Sequence, residues 1–193
     1  MQVRLKSVSI DEWAAAYGET SAEVINGEII IMSPHGRRHS WLVKNLQLPL
    51  MKFVYDRNLG DVLAEASFVL EGDPRERWVS GSRVPDLAFI QRERIETHNA
   101  EHPDMDDPWW LSPDLVIEVI SPTDTYTDLS QKVADYLKAG VRLVWMIDPK
   151  QRSIRVHSPE QPTGRTLIER DSLTDSPVLE GWSLPVSEVF KGT

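Results

Sequence analysis

The chain has 193 residues, of which 40% are hydrophobic and 26% charged, a globular composition with enough length to bury a core without metal or disulfide staples. It has no cysteine, which excludes disulfide frameworks, cysteine zinc sites, iron–sulfur clusters and thiol nucleophiles. Thirty acidic against 21 basic side chains leave a formal charge of −9, which disfavours tight sequence-independent DNA binding and suits a carboxylate pocket for a divalent cation.

The opening stretch, MQVRLKSVSIDEW, lacks the apolar run of a secretory signal, and no segment approaches the roughly 18 apolar residues of a membrane span. Cytoplasmic residence without a membrane partner is the expectation. Ser9 and Glu12 have capping-box spacing and predict a short helix through Tyr17. Asn26-Gly27, between β-rich runs over 23–25 and 28–31, predicts a hairpin, because both turn residues need positive φ. The pattern Trp41, Leu42, Leu46, Phe53, Val54 predicts an amphipathic helix over 39–58 that Pro49 should kink or interrupt. Strands are predicted over 61–70, 84–90, 114–120 and 141–147, with a helix over 127–139 between the last two. Weaker strands follow over 153–157 and 166–169, and loops are expected over 71–82 and 92–113. The reading is a single α/β domain over 1–193, with a mixed central sheet flanked by helices near 39–58 and 127–139.

Two acids stand out against this background. Side chains alternate along a strand, so Asp86 shares a face with Ala88 and Ile90, and Glu118 shares one with Asp114, Val116 and Ile120. Glu118, between Ile117 and Val119, is an ionisable group in a near-continuous apolar run, which is costly unless it is paired or bound to a cation. If the two strands are neighbours, the acids can converge at a spacing suited to Mg²⁺ with its preference for hard oxygens. The ordinary alternative is a post-proline turn residue at Asp86 and an arginine partner for Glu118.

Several stretches together resemble a known family. They are Asn26-Gly27-Glu28, Met32-Ser33-Pro34, His39, Pro85-Asp86-Leu87-Ala88-Phe89, and the run from Pro113 to Pro122 that contains Glu118-Val119-Ile120-Ser121-Pro122. Lys132, Tyr136 and Gly140 through Pro149, with Trp145-Met146-Ile147-Asp148-Pro149, complete the pattern, which spans Glu23 to Phe190. This set is similar to the Uma-two family of putative restriction endonucleases, within the PD-(D/E)xK nuclease superfamily. The resemblance implies a restriction-endonuclease-like core and a carboxylate–metal–lysine site for phosphodiester hydrolysis. In it Asp86 and Glu118 are the catalytic and metal-binding acids, and Mg²⁺ or Mn²⁺ is the cofactor. The superfamily places a lysine two residues after the second acid, where this chain has Ile120. Isoleucine can neither orient water nor steady an oxyanion, and the resemblance implies that Lys132, on the following helix, takes that place.

Other candidates have two readings each. Glu28 and Glu65 are further carboxylates or solvated surface groups; His39 is a phosphate or acid–base contact or a helix-terminus residue. Arg37, Arg38 and Lys44 are a basic patch for a DNA backbone or plain surface. Asp124 and Asp128 are expected to cap the helix after them, and Trp109-Trp110 to pack locally rather than stack on bases. Two functions follow. One is a Mg²⁺-dependent endodeoxyribonuclease, with weak, salt-sensitive DNA binding and a homodimer for cutting both strands. The other, favoured by Ile120 and the net charge, is a catalytically inactive nuclease-like scaffold that binds a protein or nucleic-acid partner. A carboxylate-pair glycosidase is disfavoured, since no aromatic sugar platform is evident.

Overall fold

The computed structural model describes residues 6–17, 21–174 and 177–193, so the first five residues of the opening stretch lie outside it. A short strand β1 (Val8–Ser9) runs into helix α1 (Ile10–Tyr17), whose start is held by Ser9 and Glu12 bonding reciprocally. The hairpin forms as expected. Strands β2 (Ala22–Ile25) and β3 (Glu28–Ile31) pair antiparallel across Asn26 at φ 52° and Gly27 at φ 73°.

Helix α2 (Arg37–Asp56) continues through Pro49 and buries Leu42, Leu46, Leu50 and Val54, an i, i+4 stripe along one side. Strand β4 (Gly60–Ala64) follows, and the predicted strand over 61–70 is in fact two. The second, β5 (Phe68–Asp73), bends away to pair with β6 (Trp78–Arg83) in a three-stranded sheet with β1. The stretch over 71–82, expected as a loop, therefore holds the second half of β5 and most of β6. Strand β7 (Leu87–Gln91) begins one residue after Asp86. Helix α3 (Arg92–Glu101) then occupies part of the second expected loop.

Strand β8 (Leu115–Val119), helix α4 (Tyr126–Lys138) and strand β9 (Leu143–Asp148) form one β–α–β unit, and β8–β9 is the parallel pair in an otherwise antiparallel sheet. Strands β10 (Ser153–Ser158) and β11 (Gln161–Ile168) complete six strands in the order β11-β10-β9-β8-β7-β4. The tail adds a small pair, β12 (Ser172–Leu173) with β13 (Leu184–Pro185), and helix α5 (Val186–Val189).

Alternation along β7 and β8 decides what each sheet face meets. Leu87, Phe89, Leu115 and Ile117 join Leu42, Leu46 and Leu50 of α2 in the main core. On the opposite face Val116 packs with Val133 and Tyr136 of α4. Glu118 on that second face is therefore roofed by α4, while α2 packs on the other side and brings His39 of its first turn to Asp86. Among the described residues no helix is long and apolar enough to cross a membrane.

Candidate active site

In the antiparallel pair β7–β8, Leu87 stands opposite Ile117, so the next step of the register sets Asp86 opposite Glu118. Both acids are buried, at 5% and 6% exposure. Asp86 Oδ2 accepts the backbone N–H of Val119 at 2.6 Å, which ties the end of one strand to the other. Asp86 Oδ1 faces His39 Nε2 at 2.9 Å and His35 Nδ1 at 3.9 Å. The two imidazole rings lie 3.8 Å apart, one at the first turn of α2 and one just before it.

Glu118 takes its partners from α4. The Lys132 ammonium donates to Oε2 at 3.2 Å, and the Tyr136 hydroxyl donates to Oε1 at 2.5 Å. Lys132 and Tyr136 are four residues apart, so they share a helix face. Ile120 packs among Leu129, Leu137 and Val133 and lies outside this hydrogen-bonding set. The helix start is fixed by Thr125, whose hydroxyl accepts the Asp128 N–H while the Asp128 carboxylate accepts from Thr125. Asp128 is thus occupied by the cap, and Asp124 accepts the Ser121 N–H in the preceding turn.

A further layer lies behind Lys132. Glu23, 2% exposed on β2, accepts from Arg83 Nη1 at 2.6 Å and from the Val84 N–H, and its Oε1 is 3.8 Å from Lys132 Nζ. Arg83 also donates to Asp135 of α4, which Gln131 holds from the other side. Hairpin, β6 and α4 are thereby joined through the buried Glu23–Arg83 pair and the half-buried Asp135 and Lys132, an arrangement in which loss of one partner strands a buried charge.

Burial drives the Glu118 carboxyl pKa above its ordinary value; Lys132 opposes this, and Asp86 and Glu23 add to it. Burial also works against the Lys132 charge, but Glu118 and Glu23 outweigh it and hold the ammonium above an ordinary lysine. Tyr136, raised chiefly by burial, stays a neutral donor. A cleft of about 270 Å³ lined by Met32, Ser33, Pro34, His35 and Glu65 opens the His35 imidazole to solvent.

The family model described as "Uma2: Putative restriction endonuclease" matches residues 10–187. The chain belongs to the Uma2 family. It also superposes, at a TM-score of 0.76, on the crystal structure of a putative nuclease belonging to DUF820 from Anabaena variabilis ATCC 29413. That likeness covers 95% of this chain and 97% of the other at 22% identity, and it establishes the fold as restriction-endonuclease-like. A search of curated proteins gives no match.

In this Uma2 chain Lys132 meets Glu118 directly, whereas Asp86, at the neighbouring position across the strand pair, meets His39 and His35. Glu65 reaches the rim, where its Oε1 is 3.8 Å from His35 Nδ1. Glu28 does not take part; it pairs with Lys6 at the exposed end of the hairpin. Trp109 packs on Phe68 and pairs its backbone with that strand, as local packing requires. Sequence reasoning passed over His35, Glu23, Arg83 and Asp135. The spacing His35-x₃-His39 was the available signal for the first, since i, i+4 histidines can serve one ligand. Nothing local marked Glu23, because its partners lie 60 and more residues away.

Proposed function

We propose that this chain is a metal-dependent endonuclease that hydrolyses DNA phosphodiester bonds. In this reading Asp86 and Glu118 hold Mg²⁺ or Mn²⁺, and Lys132 completes the catalytic set. The observation that carries the reading is the Lys132 ammonium 3.2 Å from Glu118 Oε2, delivered by α4 where Ile120 of β8 offers no donor. The donor set fits a hard divalent cation: each Glu118 oxygen keeps a lone pair beyond the one used by Tyr136 or Lys132, and among the described residues Asp86 Oδ1 accepts no hydrogen bond. An ion bound there supplies Lewis-acid polarisation of the phosphoryl oxygens and acidifies a water.

The chain's own groups do the rest. Lys132 stays protonated, so it serves as a donor to the attacking oxygen or the developing phosphorane charge and not as a base. Tyr136 orients Glu118 so that its second oxygen remains beside the ammonium. Arg37, Arg38 and Lys44, all exposed around the first turns of α2, supply a local positive strip for the DNA backbone. A two-fold homodimer would bring a second such site to the other strand.

Plasmid nicking with Mg²⁺ and Mn²⁺ tests the reading, with Glu118→Gln as control. Wild type should nick, and the variant should lose about two orders of magnitude in rate. Absence of nicking by wild type with every divalent ion would sink it in favour of a nuclease-like scaffold that binds a partner, the reading to which Ile120 lends support.

A further inference from the structure

We propose that His35 and His39, together with Asp86, make the metal site of this chain selective for first-row transition ions over Mg²⁺. Among the described residues these three form the group of metal-capable side chains whose donor atoms all lie within 4.8 Å of one another. Two ligands each about 2.1 Å from one ion stand roughly 3.0–3.5 Å apart. The observed separations from Asp86 Oδ1, 2.9 Å to His39 Nε2 and 3.9 Å to His35 Nδ1, bracket that range.

The donor orientation agrees with coordination. His39 Nε2 is buried and makes no hydrogen bond among the described residues, because Asp86 Oδ1, although near, lies outside hydrogen-bond geometry. A buried ring nitrogen in that state is costly for an ion pair or a packing residue and suits a lone pair directed at a cation. Asp86 is oriented in turn: the Val119 N–H fixes Oδ2, which leaves Oδ1 as the oxygen turned to both imidazoles. Glu65 Oε1 is a fourth donor at the rim, 3.8 Å from His35 Nδ1. The adjoining cleft supplies an entry path and room for water ligands.

The selectivity follows from donor chemistry. Mg²⁺ takes oxygen and keeps most of its water, whereas imidazole nitrogen is a borderline donor that suits Co²⁺, Ni²⁺ or Zn²⁺ and that Mn²⁺ accepts more readily than Mg²⁺ does. Two imidazoles beside one carboxylate therefore shift the preference of a site that carboxylates alone would leave to Mg²⁺. The inference rests on the nuclease reading only through Asp86, which both share.

Calorimetry on the full metal-free chain with Co²⁺, Mn²⁺ and Mg²⁺ tests it, using wild type, His35→Gln and His39→Gln, with circular dichroism to verify folding. Wild type should bind Co²⁺ and Mn²⁺ more than about tenfold tighter than Mg²⁺. Each substitution should erase that preference and leave Mg²⁺ affinity within about twofold. Nitrogen hyperfine coupling in the Mn²⁺ resonance spectrum should disappear with the histidines. Equal wild-type affinities, or Co²⁺ binding that survives both substitutions, would overturn the proposal. Plasmid nicking reads the other question. Histidine-dependent Co²⁺ binding without any cleavage retires the nuclease reading and upholds the site, and Mg²⁺-supported cleavage with histidine-independent binding does the reverse.

Discussion

The Lys132 ammonium stands between two carboxylates, 3.2 Å from Glu118 Oε2 and 3.8 Å from Glu23 Oε1, in a setting that excludes most water. Lys132→Met keeps the stem and deletes the charge, so it separates packing from electrostatics. Cleavage should fall by about two orders of magnitude, read by single-turnover plasmid nicking. The same change removes the group that opposes the upward shift at Glu118, so that carboxyl should titrate higher still. The sign for stability follows. A carboxyl raised above its unfolded value holds more protons in the native state, so its stabilising contribution is present at low pH and is lost as pH rises through the folded value. Metal-free melting should therefore decline over a higher pH window in Lys132→Met than in wild type; coincident pH profiles would show that the lysine does not set this titration. At this scale Asp86 and Glu118 stood out in the sequence as acids on apolar strands, whereas Lys132 was reached only through the family resemblance. His35 carried only its spacing to His39 as a signal, and Glu23 carried none, because its partners lie far along the chain.

Helix α4 positions both Lys132 and Tyr136, and its first turn depends on the reciprocal bonds between Thr125 and Asp128. Thr125→Ala should cost about 1 kcal/mol of stability, measured by chemical denaturation, and should raise the exchange rate of the first-turn amides. Unchanged denaturation would mean that packing of Val133 and Tyr136 alone fixes the helix start. Helices α2 and α4 were readable in advance because each carries an apolar stripe at helical period, Leu42, Leu46, Leu50 and Val54 in the first case. Helix α3 lacks that signal: in Arg-Glu-Arg-Ile-Glu-Thr-His-Asn-Ala-Glu only Ile95 and His98 are buried. Strands β5 and β6 hid for a different reason. Their pairing shifts register on both sides of Glu71, and the intervening Asp-Pro-Arg-Glu-Arg is turn-like, so alternation is interrupted where it would be read.

Over the whole molecule the charge of −9 opposes a polyanion, so any DNA affinity must come from local fields. Arg37, Arg38 and Lys44 stand near His39 at the start of α2, with Lys44 3.5 Å over the Trp41 ring. Changing all three to glutamine should weaken DNA binding and flatten its salt dependence by up to about 0.9 logarithmic units per lost phosphate contact, read by fluorescence anisotropy across a salt series. An unchanged slope would move the contact surface elsewhere.

The chain distances spanned by the site's contacts differ in kind. Lys132 and Tyr136 reach Glu118 across 14 and 18 residues, within the single β8–α4–β9 crossover, whereas Arg83 reaches Glu23 across 60. Closing the longer loop costs roughly 1.3 kcal/mol more in chain entropy than closing the shorter one. The carboxylate–lysine–tyrosine half is therefore the locally encoded half, able to assemble as soon as the crossover docks. The longer closure predicts that the hairpin carrying Glu23 opens before the crossover does, which amide hydrogen exchange should show as faster exchange in β2 and β3 than in β8 and α4.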